Sequence, residues 1–561
     1  MEKIVKEIIR EIKKNKITTQ IQLSKLKLKI ARKYHLKKVP NNVELSNHAS
    51  DSDREKLKHL LTIKPIRTLA GVAPVALMTP PHECPHGKCD YCPGGPNSEF
   101  GSVPQSYTGK EPATRRAIRN KYDPYLQVFN RLEQYVVMNK VPDKAEVIVM
   151  GGTFPSLPVR TQDHFIKFIF KALNDFSKIF YKNKKLNIKK FNTFFEIKKD
   201  INDLARIDRI QARILKEKKK NKVTLKGEQL KNESSKIRCV ALTIETRPDY
   251  CNQQHVNQLL KLGCTKVELG VQTTKNSVLK SIKRGHTVED AITATKLLKD
   301  ACFKVTYHIM PGLPGVNAKQ DLNNFKELFL NPDFKPDMLK IYPCMVLKGT
   351  NLFKLYKQHK FKPLTTKKAT SLISEMKSFI PRYVRVMRVQ RDIPSYMVEA
   401  GVDRTNLRQY IDTFMKKKNW SCNCIRCNEI GRKPAKGKVS FDYITYSASD
   451  GIEFFIYAEI KDSLVGFARL RFPSDSFRKE ITQNAALLRE LHVYGMPVPI
   501  GEKSSETQHK GVGKNLLHIA EKIAKTYYKD KMVVISGIGV RPYYKNKLGY
   551  KQQGPYVVKQ L

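Results

Sequence analysis

The sequence predicts an α/β protein: a parallel sheet-and-helix unit over residues 68–400 and a smaller C-terminal α+β domain over 436–561. A linker at 401–435 joins them, and a small basic helical region at 1–67 comes first. Three observations carry this. The apolar runs AEVIVMGG, IRCVALTIET, KVELGVQ, KVTYHIMPGLPG and MLKIYP each precede a helix-length segment, the sequence form of a parallel βα barrel or open α/β sheet. From 436 onwards FFIYAEI and LVGFARLRF read as antiparallel strands, NLLHIAEKIAKTYY as a helix and MVVISGIGV as a further strand. Charge is concentrated outside these runs, with 104 Lys or Arg against 52 Asp or Glu in 561 residues, a net charge of +52.

That excess repels itself in a compact chain and calls for a polyanionic partner, nucleic acid first. With 40% apolar residues, 28 Gly and 29 Pro, the chain is neither disordered nor collagen-like. No run reaches the ~18 apolar residues a membrane span needs. The opening MEKIVKEIIREIKKNK lacks an apolar core and a small-residue cleavage site, so secretion is not expected and a cytoplasmic protein is.

Taken in order, residues 1–67 hold 18 basic and 7 acidic residues and read as amphipathic helices, IVKEIIREI and IQLSKLKLKIARKYHL. This one-signed imbalance, mixed with Tyr34, His35 and His48, suits phosphate contact, and Lys25, Lys27, Lys29 and Lys33 are the candidates to bind it. Within the α/β unit, residues 178–238 look inserted: they carry 20 basic and 7 acidic residues, with a helical stripe through Ile197, Ile201, Leu204 and Ile207. Either a surface excursion or a second arm for the polyanion fits that pattern.

Six of the 11 cysteines fall in two clusters. Cys84, Cys89 and Cys92 lie in HECPHGKCDYCPGGP, spaced by four residues and then two. Three thiolates so close can hold three irons of a cubane cluster and leave the fourth open to a small molecule; a zinc site completed by His82 or His86 is the rival. Cys422, Cys424 and Cys427 lie in SCNCIRCNEIG, where a structural Zn²⁺ competes with unliganded thiols, and Cys344 or a remote His or Asp would be the fourth ligand. Cys239, Cys251, Cys264, Cys302 and Cys344 read as small buried hydrophobes.

The motifs downstream of the first cluster, VMGGTF, ETRPDYC, ELGVQT, KRGHT and YHIMPGLPG, come in an order that resembles the radical S-adenosylmethionine (SAM) enzymes, although their usual spacing is three and two. The resemblance implies a partial (βα) barrel, a [4Fe–4S] cluster on Cys84, Cys89 and Cys92, and SAM held in part at Gly151 and Gly152. In the C-terminal domain, Gln508-x-x-Gly511-Val512-Gly513 before a helix, the strand LLRELHVYG and the segment GVRPYYKNKLGY resemble GNAT acetyltransferases. Consecutive amides at such a helix start form a nest for a pyrophosphate. The likeness implies acetyl-CoA held by Arg489, Glu490, Leu491, His492, Gly511, Val512, Gly513 and Tyr543, with Tyr543 and Tyr544 as catalytic candidates near the acetyl sulfur.

Together with QSYTGKEPATRRAIRNKYDP and RPYYKNKLGYKQQGPYVVKQL, these features resemble the Elongator catalytic-subunit family over residues 65–561 apart from the insert. The Lys-rich composition and the linker cysteines are similar to its single-subunit archaeal members. The resemblance implies tRNA as substrate through its anticodon stem-loop, acetyl-CoA as co-substrate contacted also by Lys144, and an external electron donor. It leaves open a homo-oligomer or Elongator-like partners. The implied reaction removes hydrogen from the acetyl methyl group and leaves 5-carboxymethyluridine at the wobble position; a methyl C–H is beyond any protein base at neutral pH, so cofactors must carry that step. A protein lysine acetyltransferase and a non-catalytic tRNA-binding scaffold are the alternatives.

Overall fold

The computed structural model describes residues 2–36, 38–61, 71–183, 185–197, 203–494 and 511–561. Helices α1 (Glu2–Lys14), α2 (Gln20–Lys33) and α3 (Asn42–His48) form the N-terminal unit. Val5, Ile8, Ile9 and Ile12 recur at helical spacing on α1 and close with Leu23, Ile30 and Leu45 into a core of their own. Thr19 and Gln22 start α2 with a reciprocal capping box. Lys27 donates to Asn42 Oδ1 at 2.9 Å and Lys33 bridges Glu7 at 2.8 Å, so of the four expected phosphate-binding lysines only Lys25 and Lys29 stand fully exposed without such a partner.

Seven parallel strands follow: β1 (Val72–Met78), β2 (Lys144–Met150), β3 (Arg238–Thr246), β4 (Lys266–Gln272), β5 (Lys304–Ile309), β6 (Met338–Ile341) and β7 (Arg385–Arg388). They lie side by side in chain order, the topology of a partial barrel. Val75, Leu77, Val147, Val149, Leu242, Ile244, Val267, Leu269, Val305 and Leu339 point into the helical layer. The alternate positions face the concave side and are polar: Glu146, Glu245, Lys266, Glu268, His308 and Lys340. The sequence reading recovers the five inner strands and misses the edge strands β1 and β7, which are interrupted by proline and by arginine.

On the outer layer, α4 (Pro112–Arg119) and α5 (Pro124–Val137) follow the first loop, and α6 (Val159–Phe180) follows β2. The insert is folded: α7 (Ile188–Phe194), α8 (Leu204–Lys219) and α9 (Leu225–Asn232) pack on α5 and α6. Phe180 meets Phe191 and Phe194 at ring-centroid separations of 5.6 and 5.1 Å, and Phe191 meets Phe195 at 4.7 Å. Asn232 ties α9 to Asn174 at 2.8 Å and to the Cys239 amide at 2.7 Å. Ile201 of the expected helical stripe lies outside the described residues.

The C-terminal domain is a seven-stranded sheet: β8 (Ser440–Ala448), β9 (Gly451–Ile460), β10 (Ser463–Phe472), β11 (Ala485–Val493), β12 (Lys531–Val534), β13 (Lys551–Gln553) and β14 (Tyr556–Gln560). Its order is β8-β9-β10-β11-β12-β14-β13. All neighbours are antiparallel except β11 and β12, which pair in parallel only over Ala485–Leu488 and Lys531–Val534. Residues 489–493 run on past that pairing and open a fork, into which α10 (Val512–Thr526) starts; α11 (Arg541–Leu548) follows β12. The expected strand MVVISGIGV ends early, at Val534, because Gly537 and Gly539 turn the chain against the backbone of Val240 and Cys239.

Among the described residues no helix is long and apolar enough to cross a membrane.

Candidate active site

The loop after β1 carries the first cysteine cluster to the carboxyl ends of the strands, where parallel sheets place their chemistry. A turn at Gly87, with φ of +85°, donates the Gly87 amide to Cys84 O at 2.9 Å, and the Cys92 amide returns to Cys89 O at 2.9 Å. Cys89 and Cys92 are buried and Cys84 is half-buried. The Ser106 amide donates to Cys92 Sγ at 3.2 Å, Arg284 Nη1 lies 3.7 Å from Cys89 Sγ, and Thr153 Oγ1 lies 3.7 Å from Cys84 Sγ. Burial pushes the Cys92 thiol up to about 11 and raises Cys84, while Arg284 and Arg247 favour the Cys84 thiolate. Buried thiolates beside fixed guanidinium groups suit a positively charged cluster that supplies the remaining compensation.

The other motifs close around this loop. After β2, Gly151 and Gly152 adopt φ of +118° and +107°. A Cβ on Gly151 would lie 2.5 Å from Thr79 Oγ1, and one on Gly152 3.3 Å from His82 Nε2. Arg247 after β3 pairs with Asp249 at 2.7 Å and donates to Gly285 O at 2.7 Å; Arg284 donates to Gly270 O at 2.8 Å. Met310, after β5, packs with Cys89 and Cys92. Several buried polar atoms here have no partner among the described residues: His82 Nε2, His86 Nδ1, Arg247 Nη1 and Gln272 Oε1. Burial, then Arg284 and Arg247, pushes His286 down to about 2, so it stands neutral. Orphaned donors and acceptors around a glycine cradle fit a polar ligand with amino, carboxylate and nucleoside groups.

Below the rim the barrel is filled with charge. Tyr107 donates to Glu245 at 3.3 Å, Lys340 pairs with Glu245 at 2.9 Å and also with Glu268, His308 meets Glu268 at 3.0 Å, and Lys266 meets Glu146 at 2.8 Å. The ligand atoms of Glu245, Glu268 and His308 lie within 4.8 Å of one another, and the Lys340 ammonium supplies the cation between the carboxylates. Sequence reasoning missed this group. Its signal was charge at alternate positions of otherwise apolar strands.

The C-terminal domain docks on the opposite, amino-terminal ends of the strands. Arg489 is fully buried there: it pairs with Asp337, just before β6, at 2.6 Å, with Glu453 at 2.8 Å, and donates to Phe303 O at 2.7 Å. Arg471 pairs with Asp300 at 2.6 Å and Arg469 with Glu490 at 2.9 Å. Arg489, expected to contact acetyl-CoA, therefore commits its side chain to the domain interface, and Glu490 is held by Arg469. His492 stacks on Phe467 at 5.9 Å with Nε2 unpartnered. Leu491 and Val493 lean on the C-terminal core.

Gly511 caps α10 in the left-handed region, with φ of +77°, Val512 is buried, and Gly513 sits 3.5 Å from Val493 measured to its would-be Cβ. The helix start and the open end of β11 thus come together. Gln508 and Gly495 of the expected motifs lie outside the described residues. Tyr543 is half-buried, its hydroxyl raised by burial, whereas Tyr544 is buried in the core. Lys144 opens β2 on the docking rim, and burial lowers its pKa.

Cys422, Cys424 and Cys427 bring their sulfurs within 4.8 Å of one another. The knuckle spans two domains, since the Ile425 amide donates to Val384 O at 3.0 Å and the Ile430 amide to Leu464 O at 2.9 Å. Hydrogen bonds from Cys422 and Cys427 hold the Cys424 thiol well below its ordinary value. Cys344, considered above as a fourth ligand, packs instead with Cys89, Cys92 and Met310 at the far end of the barrel. It and the other four single cysteines are buried, as expected.

A cysteine loop, a glycine cradle and orphaned polar atoms at the carboxyl ends of a partial parallel barrel define a radical SAM protein. The family models agree: "Radical SAM superfamily" matches residues 78–328, "Radical_SAM C-terminal domain" 336–417, and "ELP3 N-terminal domain" 1–69. Full-length similarity narrows the class. The chain is 43% identical to tRNA uridine(34) acetyltransferase of Methanocaldococcus infernus, covering 100% of this chain and 98% of that protein. It is 39% identical to Elongator complex protein 3 of Saccharomyces cerevisiae, covering 97% and 93%. The structure of archaeal M. infernus Elp3 with its N-terminus deleted superposes with a TM-score of 0.71 at 40% identity, covering 88% of this chain and all of that one. The chain belongs to the family of tRNA uridine(34) acetyltransferases and Elongator complex protein 3.

Proposed function

We propose that this protein is a cytoplasmic tRNA-modifying enzyme that converts the wobble uridine to 5-carboxymethyluridine, with acetyl-CoA as the carbon source. The observation that carries the reading is the pairing, within one chain, of a radical SAM rim with a fork-and-glycine site on the domain docked beneath it. Cys84, Cys89 and Cys92 would hold the [4Fe–4S] cluster, and Gly151 and Gly152 would admit the SAM backbone groups. When bound, these cofactors supply a 5′-deoxyadenosyl radical, strong enough to take hydrogen from an acetyl methyl group.

The chain's own residues bind and orient. The amides of Gly511, Val512 and Gly513, aimed outward at the start of α10, suit the pyrophosphate of acetyl-CoA. The backbone of residues 489–492, which runs on past the β12 pairing, would suit the pantetheine amides, with His492 beside it. Tyr543, half-buried at the start of α11, would supply a hydroxyl to the same ligand. Lys144, on the facing rim, offers a cation to the same ligand. A Zn²⁺ on Cys422, Cys424 and Cys427 would hold the domain junction.

The test is anaerobic reconstitution with an external reductant, SAM, acetyl-CoA and tRNA, followed by mass spectrometry of the tRNA nucleosides. We expect 5-carboxymethyluridine and 5′-deoxyadenosine from the wild type and neither from Cys84→Ala. Acetylation of a lysine peptide at full rate by Cys84→Ala, independent of tRNA, would replace this reading with a protein acetyltransferase. An absence of 5′-deoxyadenosine from the reconstituted wild type would leave only a binding scaffold.

A further inference from the structure

The insert that sequence alone left undecided is a folded unit with a groove of about 570 Å³ on its surface, lined by Asn187, Lys189, Lys190, Thr193, Phe194 and Arg213. The floor is fixed: Phe194 packs edge-on against Phe180 at 5.1 Å, and Arg213 is held by Glu196 at 3.1 Å and by Phe194 O. The walls are not neutralised. Lys189 and Lys190 are exposed and have no salt-bridge partner among the described residues, although the neighbouring Arg209 and Arg213 both bridge Glu196.

The groove's place in the fold gives it a direction. Gln105 and Ser106 touch Cys92 at the radical SAM rim. From them the chain runs through exposed Lys110, Arg115, Arg119 and Lys121 along α4. There α8 of the insert docks, with Gln211 donating to Arg119 O at 2.7 Å and Lys218 bridging Asp123. On its exposed side α8 presents Lys216 and Lys219, and its other flank carries α7 and the groove. A discontinuous basic track therefore leads away from the rim, across α4 and α8, and ends at Lys189 and Lys190.

We infer that this groove is a second RNA subsite, which grips the sugar-phosphate backbone of the tRNA body while its anticodon loop occupies the rim. This rests on the tRNA reading above. Two unpaired ammonium groups beside an aromatic ring fit a phosphate backbone better than they fit a protein surface, because a polyanion supplies adjacent phosphates at fixed spacing and a ribose face for Phe194.

The experiment uses the full chain carrying Lys189→Glu and Lys190→Glu together. Binding to a full-length tRNA transcript and to its isolated anticodon stem-loop is followed by fluorescence anisotropy across a salt series, with heparin and a DNA duplex as competitors. The wild type should bind the full tRNA more tightly than the stem-loop. The double variant should lose roughly ten-fold on the full tRNA, and its log–log salt slope should fall by between about 1.4 and 1.8, the value for two phosphates. Its stem-loop affinity and its thermal unfolding should match the wild type. Wild-type affinity and slope for both RNAs would overturn the subsite and leave the tRNA reading intact, and an equal loss on both RNAs would overturn it too. A wild type that prefers neither RNA over heparin or DNA would sink the tRNA reading itself, and the subsite with it.

Discussion

At Gly152 the backbone adopts a conformation that L side chains rarely take, and the neighbouring His82 ring leaves 3.3 Å for a Cβ. Gly152→Ala should cost about 1–3 kcal/mol of local strain and displace any ligand seated between the glycine pair and His82. We expect SAM binding, read by equilibrium dialysis, to fall at least ten-fold while the iron–sulfur absorbance is retained. A second residue-scale test lies at Asp321, which is buried and accepts the Gly312 amide at 2.7 Å; burial pushes its carboxyl up to about 6. A carboxyl whose folded value lies above its unfolded one contributes stability below the unfolded value and loses it as pH rises through the folded one. Above pH 6 the ionised group is a constant cost, which Asp321→Asn removes while keeping an acceptor for Gly312. Calorimetry should find the variant more stable by about 3 kcal/mol at pH 7.5, with the difference vanishing towards pH 4. Neither residue's environment was legible in sequence: a glycine pair signals a turn but not the ring beside it, and Asp321 sits on a helix whose spacing says only that one face is buried.

At the scale of elements, the inner strands were legible because β-branched runs between glycines have few other homes. The edge strands β1 and β7 were not, because Pro74 and the alternation Arg385–Arg388 dilute that signal. The insert was legible as a departure in charge but not as a fold, since its core gathers four phenylalanines, Phe180, Phe191, Phe194 and Phe195, from two separate helices and a turn. The cysteine knuckle shows a different limit: spacing brought three thiols together, and only the fold revealed that their loop ties the start of β7 to β10. Removing Cys424 tests that junction. Cys424→Ser should lose one equivalent of zinc by elemental analysis, and amides in Arg385–Arg388 should exchange with solvent at least ten-fold faster. Unchanged exchange would make the knuckle a passive loop.

Across the whole molecule, the two large domains meet through a continuous apolar core, in which Cys302 and Phe303 join Leu487 and Val533, and through charge buried beside it. Arg469, Arg471 and Arg489 face Asp300, Asp337, Glu453 and Glu490, and removing one member strands its partner in a dry interior. Asp337→Asn should cost about 3–5 kcal/mol, and urea unfolding, expected as a single transition in the wild type, should split into two. A single transition at the wild-type midpoint would mean that the network is dispensable. Motif order in the sequence announced both halves but could not say at which end of the barrel the second one sits. That placement sets a ruler. A strand such as β5, six residues at about 3.3 Å each, is roughly 20 Å long, so the fork between β11 and α10 and the cysteine rim are separated by the depth of a barrel filled with ion pairs. On the reading proposed above, an acetyl unit held at the fork must therefore cross that depth before it meets a radical formed at the rim.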